Sequence, residues 1–283
     1  MKFNISGTQL EVVEKGTGET VLFVHGSNGD YRTWRTQQEA MSSQFHTIAY
    51  SRRYHYPNET IAENVDYSMS EQLDDLIAFL QSLDDKPVHV VGHSYGAFLA
   101  IFLAIREPEL IRSLVLAEPP IFTLFISIPP KPQEILKLLL TRPRTAIAII
   151  RFAVTGLNPA TEAAENDNMD EALRIFGSAV LGEDSFNNLS AERLEQARIN
   201  TFKAEILGSG FLPLNADDVS RIQIPTLLIN GANSPAIFHR FLDRLHELMP
   251  HAECIIIPGA SHISHEDNPD SYNSSVQSFI ERN

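Results

Sequence analysis

Short apolar-rich runs alternate with amphipathic stretches along most of this chain. Val21-Leu22-Phe23-Val24, Pro87–Val91, Ile111–Ala117 and Thr226–Ile229 are compact runs bounded by turn-forming residues. Such runs predict strands covered on both faces. Thr47–Tyr50 and Glu253–Ile257 read as two more, and Phe3–Ile5 with Gln9–Glu14 as an N-terminal pair turned by Ser6-Gly7-Thr8. Leu73, Leu76, Ile77 and Leu80 repeat at helical spacing behind Ser68 and Glu71, which are placed as a capping box. Ala97–Ile105 predicts an apolar helix and Ile237–Met249 an amphipathic one. Asn268-Pro269 suits the cap and first turn of a closing helix. Strands alternating with helices predict an α/β chain with a mostly parallel sheet and helices on both faces.

The alternation stops after Pro119-Pro120, and Pro129-Pro130 follows ten residues on. From there to Ile224 only helical spacing is evident, in Ile135–Leu140, Ala146–Val154, Ala172–Val180 and Leu194–Ile206. The expectation is a core domain of residues 1–118 and 225–283 with residues 119–224 inserted as a helical lid. The apolar stripes of that insert are expected mainly to pack against one another.

Composition narrows the class. With 283 residues, 43% hydrophobic and 20% charged, the chain can bury a large core. A formal charge of −14 argues against nucleic acid or an anionic membrane as partner. The single Cys254 excludes an internal disulfide, suits a reducing compartment, and sits in an apolar run that predicts a packed, inert thiol. The first residues lack the apolar core of a signal peptide, and no apolar stretch is long enough to span a bilayer. A cytoplasmic protein is expected.

The chemistry is concentrated in Gly92-His93-Ser94-Tyr95-Gly96, between the strand ending at Val91 and the helix beginning at Ala97. G-x-S-x-G between a strand and a helix describes a nucleophile elbow, a turn so tight that glycines must flank it. With the elbow, the loop His25-Gly26 and the late Gly259-Ala260-Ser261-His262, the chain resembles the α/β-hydrolase fold family, in its lid-bearing esterase-like branch. The resemblance runs nearly end to end.

It implies a catalytic triad. Ser94 is the nucleophile. His262, in the short loop after the last strand, is the expected base, with His265 its competitor. His25 and His93 are expected to pack and position their turns. Relatives often carry Asp at the fourth position of the loop that here reads Gly231-Ala232-Asn233-Ser234, so that carboxylate is absent. Ser234-Pro235 reads instead as a helix cap and first turn. Glu118, at the end of the strand Leu114–Ala117, is the candidate acid, with Asn233 as a neutral alternative. By resemblance the oxyanion hole is the backbone N–H of Ser27 and of Tyr95. Arg52 matches the family's structural arginine.

Candidate pocket residues are Asn28, Trp34, Tyr54, His55, Phe122, Phe125 and Phe152. Asn28 could equally turn its loop, and Trp34 could equally be packing. A serine nucleophile argues against dehalogenase or epoxide hydrolase chemistry, which needs a carboxylate there. No metal ligand pattern and no cofactor are implied. The expected activity is hydrolysis of a small to medium hydrophobic carboxylic ester or lactone. A ring-cleavage carbon–carbon hydrolase and a non-catalytic receptor are the alternatives, and the oligomeric state is open.

Overall fold

The computed structural model describes residues 2–5 and 7–283, so Ser6 of the expected first turn lies outside the described residues. Among the described residues eight strands form one sheet: β1 (Lys2–Ile5), β2 (Thr8–Lys15), β3 (Thr20–Val24), β4 (His46–Tyr50), β5 (Val88–His93), β6 (Ile111–Ala117), β7 (Thr226–Gly231) and β8 (Glu253–Ile257). Their order is β1-β2-β4-β3-β5-β6-β7-β8. The β1/β2 and β2/β4 pairs are antiparallel and every other pair is parallel.

Residue alternation explains why the central runs are continuously apolar. In β3, Leu22 and Val24 enter one core and Val21 and Phe23 the other. The same split divides Val90 from Val91 and Leu116 from Val115. Successive side chains of a strand point to opposite faces, so a strand covered on both sides has no solvent position. Helices Met69–Ser82, Tyr95–Arg106 and Ala236–Leu248 cover the first face. Helices Arg35–Met41 and Pro269–Ile280 cover the second.

The edge behaves differently. Cys254 in β8 is exposed rather than packed, and Ile256 beside it is 63% exposed. An edge strand has a neighbour on one side only, so an apolar run there does not guarantee burial.

Between β6 and β7 no strand occurs among the described residues. Its longer helices are Pro132–Thr141, Pro143–Phe152, Asn158–Glu165, Met169–Leu181 and Ala191–Ile199, followed by the short Phe202–Leu207. The helical spacing expected over Leu194–Ile206 is interrupted at Asn200. The Asn200 amide donates to Asp30 Oδ2 at 3.0 Å and accepts from Tyr56 N–H at 2.9 Å, which ties the break to the core loops. Ser68 does precede its helix, but no capping box forms. Its hydroxyl meets Ser70 at 2.7 Å, and Glu71 turns to Arg53 at 3.2 Å. Asn268 caps the closing helix as expected, accepting from Ser271 N–H at 3.2 Å. Among the described residues no helix is long and apolar enough to cross a membrane.

Candidate active site

The turn after β5 is built by exclusion. A Cβ on Gly92 would stand 2.6 Å from Ala97 Cα, and one on Gly96 would stand 2.2 Å from the Val24 carbonyl oxygen. Neither backbone can retreat, so both positions require glycine. Ser94 between them adopts φ 50°, ψ −118°, a conformation that L-residues rarely hold. Its N–H donates to the Ala117 carbonyl at 2.8 Å, and its own carbonyl accepts from Phe98 at 3.0 Å. Tyr95 opens the following helix, so its amide has no acceptor within that helix.

Sheet register explains how Glu118 meets the late loops. His93 pairs with Ala117, and Ala117 pairs with Ile229. Ser94 and Glu118 therefore each stand one residue past the paired ends of adjacent strands. Glu118, also at φ 50°, donates its N–H to the Ile229 carbonyl at 3.2 Å. Its side chain crosses the end of β7. Oε1 accepts from Gly231 N–H at 2.7 Å and from the Ser234 hydroxyl at 2.5 Å. Oε2 meets His262 Nδ1 at 2.5 Å. A charged carboxylate only accepts, so Nδ1 carries the hydrogen and Nε2 keeps its lone pair. His262 Nε2 is buried without a hydrogen-bond partner, and His262 lines the same cavity as Ser94.

Ser234 is thus no helix cap. The helix starts at Ala236 with no side-chain cap, because the Ser234 hydroxyl is spent on Glu118. Asn233 points elsewhere, donating to the Gly259 carbonyl at 3.0 Å. His265 is fully buried on the far side of His93, its ring stacked on Trp34 at 4.6 Å, with neither nitrogen hydrogen-bonded.

Two cavities share Ser27, Ser94, Phe176 and Val180 in their walls. One, of about 100 Å³, also has Asn28, His262 and Arg193. The other, of about 180 Å³, is lined by Tyr95, Phe122, Phe152, Phe211 and Phe238 among others. Asn28, Phe122 and Phe152 therefore line the space, and four other candidates do not. Trp34 is fully buried beneath the sheet against Phe23 and His265. Phe125 stacks on Phe241 at 5.7 Å. Tyr54 hydrogen-bonds Glu71 at 3.3 Å. His55 is held by the Gly29 carbonyl at 2.8 Å and the Tyr67 hydroxyl at 3.0 Å.

Residues 19–269 match the family model for the alpha/beta hydrolase fold. The chain belongs to that family. Among curated relatives it is 24% identical to 2-(acetamidomethylene)succinate hydrolase of Mesorhizobium japonicum, over 99% of this chain and 94% of that one. It is 21% identical to (E)-2-((N-methylformamido)methylene)succinate hydrolase of Acinetobacter baylyi, over 95% and 92%. In three dimensions it is similar to an esterase from Exiguobacterium antarcticum (TM-score 0.76, 15% identity, 99% and 98% covered). It is also similar to a meta-cleavage product hydrolase from Pseudomonas fluorescens IP01 (TM-score 0.62, 20% identity, 100% and 97% covered).

In this α/β-hydrolase the loop carrying Ser27 is held by buried charge. Arg52 donates to the Gly26 carbonyl at 3.1 Å, to the Tyr67 hydroxyl at 2.5 Å and to Glu205 Oε2 at 3.2 Å. Burial alone would raise the Glu205 pKa, but His55, Arg52 and the Ser27 hydroxyl hold it at about 2. Burial, then Arg52 and His55, lower His25, whose Nε2 accepts from Arg52 N–H at 2.9 Å. His93 is lowered well below its usual range by burial and by His265 and His262. It donates from Nε2 to the His262 carbonyl at 2.9 Å. Both histidines brace backbone, as read from their positions in the sequence.

Sequence reasoning missed Phe176, Phe211, Phe238, Arg193 and Glu205. Phe238 covers His262 with ring centroids 4.1 Å apart. Its position at the start of the helix after the Gly231 loop was the available signal. Nothing in the spacing of the helical segment marks the other four.

Proposed function

We propose that this α/β-hydrolase cleaves a small to medium hydrophobic carboxylic ester or lactone through an acyl-serine. The observation that carries the reading is His262: its Nδ1 is held by Glu118, and its free Nε2 belongs to the cavity that holds Ser94. Ser94 Oγ attacks the carbonyl carbon while His262 Nε2 takes its proton. Glu118 fixes the tautomer and stabilises the imidazolium. The amides of Ser27 and Tyr95 receive the oxyanion. His262 returns the proton to the leaving alkoxide, then draws one from the water that releases the acid.

Residues 119–224 act as the lid on a core of 1–118 and 225–283, and lid side chains close both cavities over Ser94. A cavity of about 180 Å³ suits a group near the size of benzene, for which about 150 Å³ suffices. A serine in the elbow disfavours epoxide opening, because the resulting serine ether would not hydrolyse. The chain's single cysteine suits the cytoplasm.

A second reading is favoured by Arg193, a cation in the wall of the smaller cavity, whose Nε pairs with Glu266 at 3.1 Å and whose Nη1 donates to the Asn28 carbonyl at 3.0 Å. The two relatives quoted above are named for succinates, which carry carboxylates. An anionic substrate, including a ring-cleavage dienoate cut at a carbon–carbon bond, would meet that cation.

Fluorophosphonate labelling with peptide mapping tests the first reading. A stoichiometric adduct on Ser94 that is absent from Ser94→Ala is the expected result. No adduct on folded protein would overturn it in favour of a receptor. Loss of colour from a dienoic keto-acid, with slow ester turnover, would favour the second reading.

A further inference from the structure

The charge of this chain is not evenly spread. Residues 128–157 hold five cations, Lys131, Lys137, Arg142, Arg144 and Arg151, and one acid, Glu134, within a chain of net charge −14. Glu134 is folded back over the start of its own helix, its carboxylate accepting from Ser127 and from Lys131 N–H. Arg142 is paired with Glu247 at 2.6 Å. Among the described residues the other four cations have no ion-pair partner.

Apolar exposure is concentrated in the same place. Of the eleven exposed large hydrophobic residues among the described ones, six fall between Ile128 and Val154. Leu140 is 77% exposed, and Leu136 and Ile147 are 60% exposed each. Helices Pro132–Thr141 and Pro143–Phe152 pack on each other, and both carry exposed apolar residues together with unpaired cations. The inward residues of the same helices, Leu138, Ala146, Ile149 and Phe152, are buried.

Against the expectation drawn from the net charge alone, we propose that this surface docks on an anionic lipid layer. Interfacial helices present apolar side chains to the acyl boundary and cations to the headgroups. A second copy of this chain fits less well, because a two-fold contact through this face would set unpaired cations against their own copies. The surface also opens toward the chemistry. Ile128, 47% exposed, lines the aromatic cavity beside Ser94, and so does Phe152 from the inner side of the second helix. A hydrophobic molecule leaving the lipid layer at Ile128 would enter that cavity directly. The overall negative charge then keeps the rest of the molecule off the surface and sets the docking orientation.

Vesicle flotation tests the proposal without using turnover, so its outcome is separate from the serine reading. The probes are phosphatidylcholine vesicles with and without phosphatidylglycerol, at low and raised salt. Wild type is expected to float with the anionic vesicles and to be released by salt. Leu140→Glu with Ile147→Glu should lose binding by about tenfold or more. Lys137→Glu with Arg151→Glu should abolish the preference for phosphatidylglycerol, at about fivefold per charge. None of these four residues lines either cavity, so Ser94 labelling should be unchanged in both variants. Wild type that stays with the soluble fraction, or variants that float equally well, would overturn the proposal. So would a wild-type dimer in light scattering that Leu140→Glu with Ile147→Glu makes monomeric.

Discussion

The turns at the ends of β5 and β6 and the helical segment between β6 and β7 both approach Ser94, but they are specified by different forces. At the strand ends every position is set by backbone. Ser94 N–H is fixed on Ala117, Glu118 N–H on Ile229, and Gly96 is pressed against the Val24 carbonyl. In the helical segment the walls are side chains packed on side chains, such as Phe176 against Phe202 at 5.0 Å and Phe122 against Phe152 at 5.3 Å. Backbone constraint gives an arrangement that tolerates almost no substitution. Side-chain packing gives one that can be reshaped.

The strongest test of the rigid region is Glu118→Gln. Gln can keep the contacts from Gly231 and Ser234, but its amide then donates toward His262 Nδ1 and moves the proton to Nε2. Turnover should fall by about 10³–10⁴ with thermal unfolding nearly unchanged. Retained turnover would dismiss Glu118 as the acid.

The next contrast pairs two glycines. Gly96→Ala places a Cβ 2.2 Å from a main-chain oxygen, and Gly177→Ala places one 2.4 Å from the Phe186 ring. The ring can rotate and the strand cannot. Gly96→Ala should cost about 3 kcal/mol or more in denaturant unfolding. Gly177→Ala should cost less than about 1 kcal/mol, offset by its better helix propensity. Equal losses would erase the distinction between the two regions.

Acid sensitivity comes from beside the rigid region, where His265 packs on His93 at the end of β5. Burial, with Arg193 and His262, lowers His265 to about 3, and His93 is lowered too. A depressed histidine contributes its stability in full above the unfolded value near 6.5 and loses it as pH falls toward the folded value. Each should remove about 1.4 kcal/mol per pH unit below about 6.5. His265→Phe should flatten that slope and raise the melting temperature at pH 5, since neither ring nitrogen has a hydrogen-bond partner to lose. An unchanged slope would mean that His265 is protonated within the fold.

Smaller effects belong to the reshaped walls. Phe176 borders both cavities, so Phe176→Ala should shift relative kcat/KM between short and long acyl esters by about tenfold. The smallest change expected is Asn233→Ala, within about twofold in turnover, because its side chain only meets the Gly259 carbonyl.

Legibility in the sequence follows the same division. The strand ends are local: Gly92, Ser94 and Gly96 announce a turn because each must solve a steric problem within five residues. His262 could be placed by resemblance, because Gly259-Ala260-Ser261-His262 matches the short loop after the last strand that carries the family's histidine. Ser234 could not be read correctly, since a hydroxyl before Pro235 looks like a cap, and only the register of β6 against β7 reveals Glu118 within reach. His55 suggested a pocket wall by size and polarity, yet it holds a loop; Trp34 could equally have been wall or packing, and it packs under the sheet. Phe176 and Glu205 were invisible because a helix's inward face depends on what it packs against, which is not a local property.

The route taken by Glu118 bears on how lineages of such enzymes are traced. Histidine responds to a carboxylate at a point in space and is indifferent to the strand that delivers it. Glu118 leaves the strand before the one that ends at Gly231 and, steadied by the Ser234 hydroxyl, still reaches His262, so a carboxylate can change its address while its target stays put. A catalogue that demands the acid in one alignment column would file this chain among the inactive members, although a carboxylate does stand against its histidine.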